Sequence, residues 1–202
     1  MTCKQIAEKA VKEWFAYQNP VELELALRSV KEHNPKVILE IGVAQGGSIA
    51  AWAKATDADL VIGMDPLTIP REPKMKASFD KLIKENDIKI IPWVSRLPVA
   101  HEELEKLLKG CKIDFLFIDG NHGYGDAQYD FSAYKKYLAE DALVGFHDIY
   151  YSDALADAGS LVCFFWERMK RDYSHNDEFH FHSTMGIGMV KMNSYKWEEK
   201  NA

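Results

Sequence analysis

The segment Val37–Ser48 constrains the fold more than any other part of the chain. It reads Val-Ile-Leu-Glu-Ile-Gly-Val-Ala-Gln-Gly-Gly-Ser, a short apolar run that breaks into a glycine-rich turn. Such a run is typical of a parallel strand that is buried on both faces. Glycine lets the backbone approach a ligand closely, and the first N–H groups of the helix that begins at Ser48 point outward. The segment therefore predicts a strand, a turn and a helix N-terminus that together bind a nucleotide-like ligand.

The remainder of the chain alternates between apolar runs and helical patterns. Further strands are predicted at Leu60–Met64, Ile88–Val94, Ile113–Ile118, Ala142–Phe146, Glu178–His182 and Met185–Met192. Helices are predicted at Ser48–Ala55, Met75–Glu85, Pro98–Leu108, Asp126–Leu138 and Ser160–Arg171. This alternation predicts an α/β fold with a doubly wound, mostly parallel seven-stranded sheet and right-handed crossovers. The short link between the last two strands predicts a C-terminal antiparallel hairpin.

Two amphipathic helices, Thr2–Tyr17 and Val21–His33, precede the first strand. We expect residues 1–34 to cover one face of the sheet, since amphipathic helices most often serve this purpose. The alternative is that they form a lid over a substrate. Residues 35–192 then form the α/β core, and the 202 residues form one domain.

Composition limits the classes of partner and the compartment. The formal net charge is −6, whereas a nucleic-acid-binding protein usually carries a basic patch, so we expect no nucleic-acid partner. The three cysteines are an odd number without CxxC spacing, which favours a reducing, cytoplasmic location. No apolar stretch approaches the length of a membrane span, so we expect no membrane partner. The sequence leaves a monomer and a homodimer open.

Polar residues stand where the predicted strands end. Glu40 and Gly42 lie at the tip of the first strand, and Asp65 follows the second. An acid at the second tip is placed to accept hydrogen bonds from ribose hydroxyls. The fourth and fifth strands lead into further polar residues, namely Asp119, His122, His147 and Asp148. Because these tips are neighbours in a doubly wound sheet, we expect one binding site at this edge.

The glycine turn resembles the first motif of class I S-adenosylmethionine-dependent methyltransferases, which reads E-x-G-x-x-x-G. The chain matches it at Glu40, Gly42 and Gly46. The resemblance implies that S-adenosylmethionine is the cofactor and that a small molecule is the methyl acceptor, with transfer to a hydroxyl expected. The residues implied in cofactor binding are Glu40, Gly42, Gly46, Gly47, Ser48, Asp65, Ser95 and Asp119. Ser95 is expected near the adenine ring, because it follows the third predicted strand.

The stretch from Asp119 to Tyr124 reads Asp-Gly-Asn-His-Gly-Tyr. It resembles the metal-dependent O-methyltransferases and the related cephalosporin-hydroxylase-like and macrolide-sugar methyltransferases. The resemblance implies a divalent metal, magnesium or manganese, bound by Asp119, His147 and Asp148. His147 departs from the acidic residue that those families have there. The resemblance also implies that His122 is the general base, and His147 is the rival base if no metal binds.

Other functions remain open at this level. An NAD-dependent oxidoreductase would share the fold and the acid after the second strand, but its G-x-G-x-x-G fingerprint is not matched, because Val43 and Ala44 follow Gly42. A non-catalytic protein that binds S-adenosylmethionine or a nucleotide is the second alternative.

Overall fold

The computed structural model of the protein describes residues 1–181 and 184–196, with a mixed sheet at its centre. In chain order the strands are β1 (Val37–Ile41), β2 (Leu60–Met64), β3 (Lys89–Ile91), β4 (Ile113–Ile118), β5 (Leu138–His147), β6 (Asn176–Phe179) and β7 (Ile187–Lys191). They lie in the order β3-β2-β1-β4-β5-β7-β6. Strands β1 to β5 pair in parallel, whereas β7 is antiparallel to both β5 and β6. The predicted fold class and the antiparallel hairpin are confirmed.

Helices lie on both faces of this sheet. They are α1 (Cys3–Glu13), α2 (Pro20–His33), α3 (Gly47–Ala55), α4 (Pro73–Glu85), α5 (Pro98–Leu108), α6 (Tyr124–Tyr134), α7 (Asp153–Asp157) and α8 (Val162–Asp172). Short 3₁₀ helices follow at Lys135–Tyr137 and Met192–Ser194. Helices α1 to α4 contribute to the apolar cluster on one face, while α5, α6 and α8 contribute to the cluster on the other.

The order of the strands reverses beside β1, and this arrangement creates the site. β1 pairs with β2 on one side and with β4 on the other, and all five of its residues are buried. The chain leaves β1 between two strands whose connections run to opposite sides of the sheet. Ligands of open α/β sheets bind at such a reversal, outside the carboxyl ends of the strands.

Several predicted boundaries move, each for a local reason. β3 ends at Ile91, since Pro92 follows and proline cannot donate a ladder hydrogen bond. Helix α4 begins at Pro73 rather than at the predicted Met75, because proline is suited to the first helical turn. Helix α7 lies between the predicted strand Ala142–Phe146 and the predicted helix Ser160–Arg171, and Ser152 caps its N-terminus. β6 ends at Phe179, and His182 of the predicted strand lies outside the described residues.

Within the described part of the chain, no helix is both long enough and apolar enough to span a membrane.

Candidate active site

The turn after β1 takes its shape from Gly42. This residue has φ = +88°, a backbone conformation that residues with a Cβ rarely adopt. A Cβ at this position would lie 1.9 Å from the carbonyl oxygen of Asp119. The absence of a side chain thus lets the tips of β1 and β4 touch, and the backbone N–H of Asp119 donates to the carbonyl of Ile41 at 2.8 Å.

Asp65, at the tip of β2, holds the same turn from the other side. Its Oδ2 accepts hydrogen bonds from the backbone N–H groups of Val43 and Ala44, each at 2.9 Å. Its Oδ1 accepts from the N–H of Leu67 at 2.6 Å. A carboxylate has about four acceptor positions, so one remains after these three contacts. The strand tip and the glycine turn are therefore fixed to each other.

Glu40 lies beneath the turn and is fully buried. Its Oε1 accepts a hydrogen bond from the Ser48 hydroxyl at 2.6 Å, while its Oε2 is buried without a partner among the described residues. Burial raises the pKa of this carboxyl well above its ordinary value, and the bond from Ser48 opposes that rise only in part. Glu40 and Ser48 thus join β1 to the first turn of α3 as a buried polar pair.

A cavity of about 810 Å³ opens at the carboxyl ends of the strands. This volume lies within the range of about 300–1,000 Å³ that is usual for ligand sites. The tips of β1, β2, β4 and β5 contribute polar residues to it, including Gly42, Asp65, Asp119, His147 and Asp148. Its apolar walls include Tyr17, Ile41, Met64, Trp93, Val94, Leu155 and Met185. The expected convergence of strand tips on one site is therefore present.

Acids and imidazoles alternate along one wall of this cavity. The buried side chain of Gln18, from the link between α1 and α2, donates to Asp119 Oδ2 at 2.7 Å. His147 Nδ1 lies 3.1 Å from Asp119 Oδ1 and 3.1 Å from Asp148 Oδ1. Asp148 Oδ2 contacts His122 Nδ1. We call these five residues the acid–imidazole chain.

The backbone at Asp148 directs this chain toward the cavity. Asp148 has φ = +61°, an uncommon conformation for a residue other than glycine, and it comes directly after β5. Its side chain is buried between His122 and Ser160, whose hydroxyl donates to Oδ2 at 3.2 Å. Strained conformations of this kind persist only where the surroundings hold them, and they cluster at functional sites.

The charges of the acid–imidazole chain stabilise one another. Burial lowers the pKa of His147, but the carboxylates of Asp119 and Asp148 outweigh it and raise the value to about 9. The hydrogen bond to Asp148 raises the pKa of His122. Burial raises the pKa of Asp148, but hydrogen bonding and attraction to both histidines leave it below its ordinary value. At neutral pH, His147 is therefore a buried cation between two carboxylates.

A second polar group lies on the far wall, where the loop after β3 meets α6. The Ser95 hydroxyl donates to Asp130 Oδ1 at 2.7 Å, and the Tyr134 hydroxyl donates to the Ser95 carbonyl at 2.9 Å. Burial raises the pKa of Asp130 to about 6, although the bond from Ser95 opposes the change. Two residues one turn apart on α6 thus hold Ser95 in place.

The structure brings some of the predicted cofactor residues to the cavity and leaves others behind it. Those that line the cavity are Gly42, Asp65, Ser95 and Asp119. Those that support the turn from behind are Glu40, Gly46, Gly47 and Ser48. The two histidines predicted as bases both line the cavity. His122 is half-exposed there, whereas His147 is almost completely buried.

Sequence reasoning missed Asp130, Gln18 and Tyr17. Asp130 left a signal, because it is an acid on the face of α6 that buries Ala127 and Phe131. Gln18 and Tyr17 lie between two helices, where periodicity carries no information. Their presence shows that the N-terminal segment does more than cover the sheet, since Tyr17 lines the cavity and Gln18 contacts Asp119.

Fold and site together define a class of protein: a doubly wound α/β domain whose glycine turn and acidic strand tips line a cavity at the carboxyl ends of the strands. Comparison with known families makes the class specific. A family model described as a methyltransferase domain matches residues 39–149, more than half of the chain. The chain belongs to this methyltransferase family, which confirms the prediction from the glycine turn and does not favour the oxidoreductase alternative.

One relative is similar in sequence to part of this chain. The uncharacterized protein R132 of Acanthamoeba polyphaga mimivirus is 32% identical over 124 residues, which are 60% of this chain and 55% of that protein. The match thus spans little more than half the length of this relative.

Two solved structures share the fold. The O-methyltransferase TomG of Streptomyces achromogenes, involved in tomaymycin synthesis and solved with S-adenosylmethionine, has a TM-score of 0.61 at 17% identity, covering 95% of this chain and 89% of TomG. An O-methyltransferase of Bacillus cereus in complex with S-adenosylhomocysteine has a TM-score of 0.58 at 15% identity, covering 94% and 90%.

Proposed function

We propose that the protein is an S-adenosylmethionine-dependent methyltransferase that transfers a methyl group to a hydroxyl of a small molecule. One observation carries this proposal: the glycine turn with Asp65 and the His122–Asp148 pair line the same cavity. The first group suits the cofactor, and the second suits removal of a proton from the acceptor. Membership of the methyltransferase family supports the reaction type, and the two O-methyltransferases of the same fold support a hydroxyl acceptor.

The residues present fit the cofactor. The close approach at Gly42 leaves room for a ligand against bare backbone, and the remaining acceptor position of Asp65 suits a ribose hydroxyl. The exposed faces of Trp93 and Val94 supply apolar surface for the adenine ring of the cofactor. When bound, S-adenosylmethionine supplies an activated methyl group. The task of the protein is then to align the acceptor oxygen with that methyl group and to remove the hydroxyl proton.

The residues present fit a divalent metal poorly. Asp119, His147 and Asp148 do lie together as expected, but the imidazole of His147 lies between the two carboxylates. Gln18 contacts the other oxygen of Asp119, and His122 contacts the other oxygen of Asp148. Over residues 1–181 and 184–196, no group of three or more His, Cys, Asp or Glu side chains is arranged to hold an ion. The reaction that we propose therefore uses no metal.

His122 is the residue best placed to act as the general base. Its Nδ1 is engaged by Asp148, so Nε2 is left to accept a proton from a hydroxyl in the cavity. The buried carboxylate of Asp148 then stabilises the imidazolium that forms, as an acid does in other His–Asp pairs. The backbone carbonyl of His122 accepts from Leu161 N–H at 2.7 Å, which ties this loop to the start of α8.

His147 serves better as a positioning residue than as a base. It is only 3% exposed, and its Nδ1 faces Asp119 and Asp148 rather than the acceptor. Its positive charge favours the ionised form of Asp148 and helps to keep the pKa of that carboxyl below its ordinary value. Asp148 is thereby held as an anion beside His122, as the base requires.

Two measurements test the proposal. Calorimetric titration with S-adenosylhomocysteine should show binding, and absence of binding at high micromolar concentration would reject the cofactor assignment. Incubation with methyl-labelled S-adenosylmethionine and matched phenol, aniline and thiophenol acceptors should label the phenol. Binding without transfer to any acceptor would instead favour the non-catalytic binding protein.

A further inference from the structure

We propose that Asp130 recognises the 6-amino group of the adenine ring and makes the site selective for an adenine nucleoside. This inference rests on the proposed function, because it concerns the cofactor of the same cavity. It assigns a role to a buried acid that the methyl transfer itself does not use.

Asp130 has one oxygen occupied and one available. Oδ1 accepts the Ser95 hydroxyl at 2.7 Å, whereas Oδ2 accepts no hydrogen bond from any residue the structure describes. Oδ2 lies beside Gly120, at 3.4 Å from the point where a Cβ of that residue would stand. Asp130 and Gly120 both line the cavity. The available oxygen is therefore a hydrogen-bond acceptor in the cavity wall, with Asp130 itself only 3% exposed.

The position of Asp130 is fixed by its neighbours on α6 and on the loop after β3. Tyr134, one turn further along α6, donates to the carbonyl of the same Ser95 that donates to Asp130. Arg96 contacts Asp126 on the preceding turn and lies over the ring of Tyr129 at 4.8 Å. The acceptor therefore does not need to be ordered when a ligand binds, which favours affinity.

The surfaces around this oxygen suit a flat heteroaromatic ring. The side chain of Ile41 lies against Gly120, at 3.4 Å from the same hypothetical Cβ. The hydroxyl of Tyr134 lies 2.9 Å from the sulfur of Met64, another residue of the cavity wall. Val94 and Trp93, which precede Ser95, are more than 40% exposed and line the same cavity. A ring that occupies this space stacks on apolar atoms and meets one acceptor at its edge.

The chemistry of that acceptor selects a donor. A buried carboxylate oxygen that loses water without gaining a hydrogen bond is strongly unfavourable. The exocyclic amine of adenine supplies N–H donors at the edge of the ring, whereas a purine without that amine supplies none there. Hydrogen bonds to charged groups are the stronger ones, so we expect the amine to raise affinity at least about tenfold.

The experiment compares two ligands and several proteins by calorimetry. The ligands are S-adenosylhomocysteine and its analogue with unsubstituted purine in place of adenine. The wild type should bind the first at least about tenfold more tightly. Asp130→Ala should reduce that ratio to about threefold or less, because the two changes remove the same hydrogen bond. Asp141→Asn, an exposed acid on β5 that does not line the cavity, should leave the ratio at its wild-type value.

Each outcome of this experiment supports or overturns the role of Asp130. An unchanged ratio in Asp130→Ala, or equal affinities of the two ligands for the wild type, overturns the role of Asp130 while the cofactor assignment stands. Failure of the wild type to bind S-adenosylhomocysteine overturns both. If thermal denaturation shows that Asp130→Ala does not fold, the near-isosteric Asp130→Asn replaces it. The ratio should fall in this variant as well, since an amide oxygen is a weaker acceptor than a carboxylate.

Discussion

Substitution of Gly42 by alanine is the perturbation whose effect the structure defines most sharply. The new Cβ would lie 1.9 Å from the carbonyl oxygen of Asp119, 2.4 Å from its carbonyl carbon and 2.7 Å from the Cα of Gly120. These are backbone atoms, so no side-chain rotation relieves the contact. An ordinary contact begins near 3.4 Å, and the tips of β1 and β4 must therefore separate by more than an ångström.

The cost has two parts, and the chain contains a glycine that separates them. Gly110 has φ = +90°, almost the same as Gly42, but a Cβ there meets no atom within 4 Å. Gly110→Ala therefore carries only the cost of a left-handed backbone, about 1–2 kcal/mol. Gly42→Ala carries that cost and the clash, and we expect a loss of more than about 4 kcal/mol, the range of severe core disruption. Domains are stable by only about 5–15 kcal/mol, so the variant will be marginal.

The assay is urea and thermal unfolding of both variants and the wild type. For a chain of this size each kcal/mol lowers Tm by about 2–4 °C. Gly110→Ala should therefore lose about 2–8 °C and retain wild-type affinity for S-adenosylhomocysteine. Gly42→Ala should lose more than about 8 °C and all measurable affinity. Equal losses in the two variants, or normal ligand binding by Gly42→Ala, would refute the reasoning.

Three further predictions concern the site. His122→Gln should lower turnover by about 10²–10⁴-fold and leave the affinity for S-adenosylhomocysteine unchanged. The surface variant His175→Gln should keep full turnover. A loss of affinity alone would show that His122 is not the general base. Dialysis against EDTA should leave turnover unchanged, since His147 already lies between the two carboxylates; loss of turnover that manganese or magnesium restores would reverse this conclusion. The pKa of Asp130 is raised to about 6 from 3.8, so its stabilising contribution is complete below pH 3.8 and is lost as the pH rises through 6. Asp130→Asn should therefore gain about 2–3 kcal/mol relative to the wild type between pH 4 and pH 8, measured by urea unfolding; a difference that does not depend on pH would count against a buried, ionised Asp130.

The order of elements was predictable because each strand and helix carries its own periodicity. β1, β2 and β4 are buried parallel strands, and their apolar runs end where the strands end. The glycine turn was predictable for a physical reason. Position 42 has a left-handed backbone conformation and touches the neighbouring strand, and only glycine meets both requirements. Polar residues at strand tips were readable as well, because topology brings them together whatever their spacing in the chain.

The roles of individual residues were harder to predict, because they depend on contacts between distant segments. Asp65 was expected to bind ribose, and the structure adds that it also fixes the glycine turn through Val43 and Ala44. Ser48 was expected to touch the cofactor, but its hydroxyl is committed to Glu40. Neither contact has a local signature in the sequence. The same holds for Gln18, which lies 101 positions from its partner Asp119.

The metal prediction illustrates a different limit. Two acids and a histidine at neighbouring tips have the composition of a metal site, but composition does not say which oxygen faces which nitrogen. The structure places His147 Nδ1 at 3.1 Å from an oxygen of each carboxylate, so the imidazole lies between the two acids. A sequence pattern identifies side chains that can bind a metal ion. Only the geometry shows whether a histidine side chain lies between the carboxylates instead.

A crystal structure of the protein with S-adenosylhomocysteine tests the central claim most directly. We expect the ligand in the cavity at the carboxyl ends of β1, β2, β4 and β5, with its ribose at Asp65. Its amine should lie within hydrogen-bond distance of Asp130 Oδ2, and its sulfur should face His122 Nε2 across the space for an acceptor. A ligand that lies elsewhere, or one whose sulfur is directed away from the acid–imidazole chain, would contradict the account.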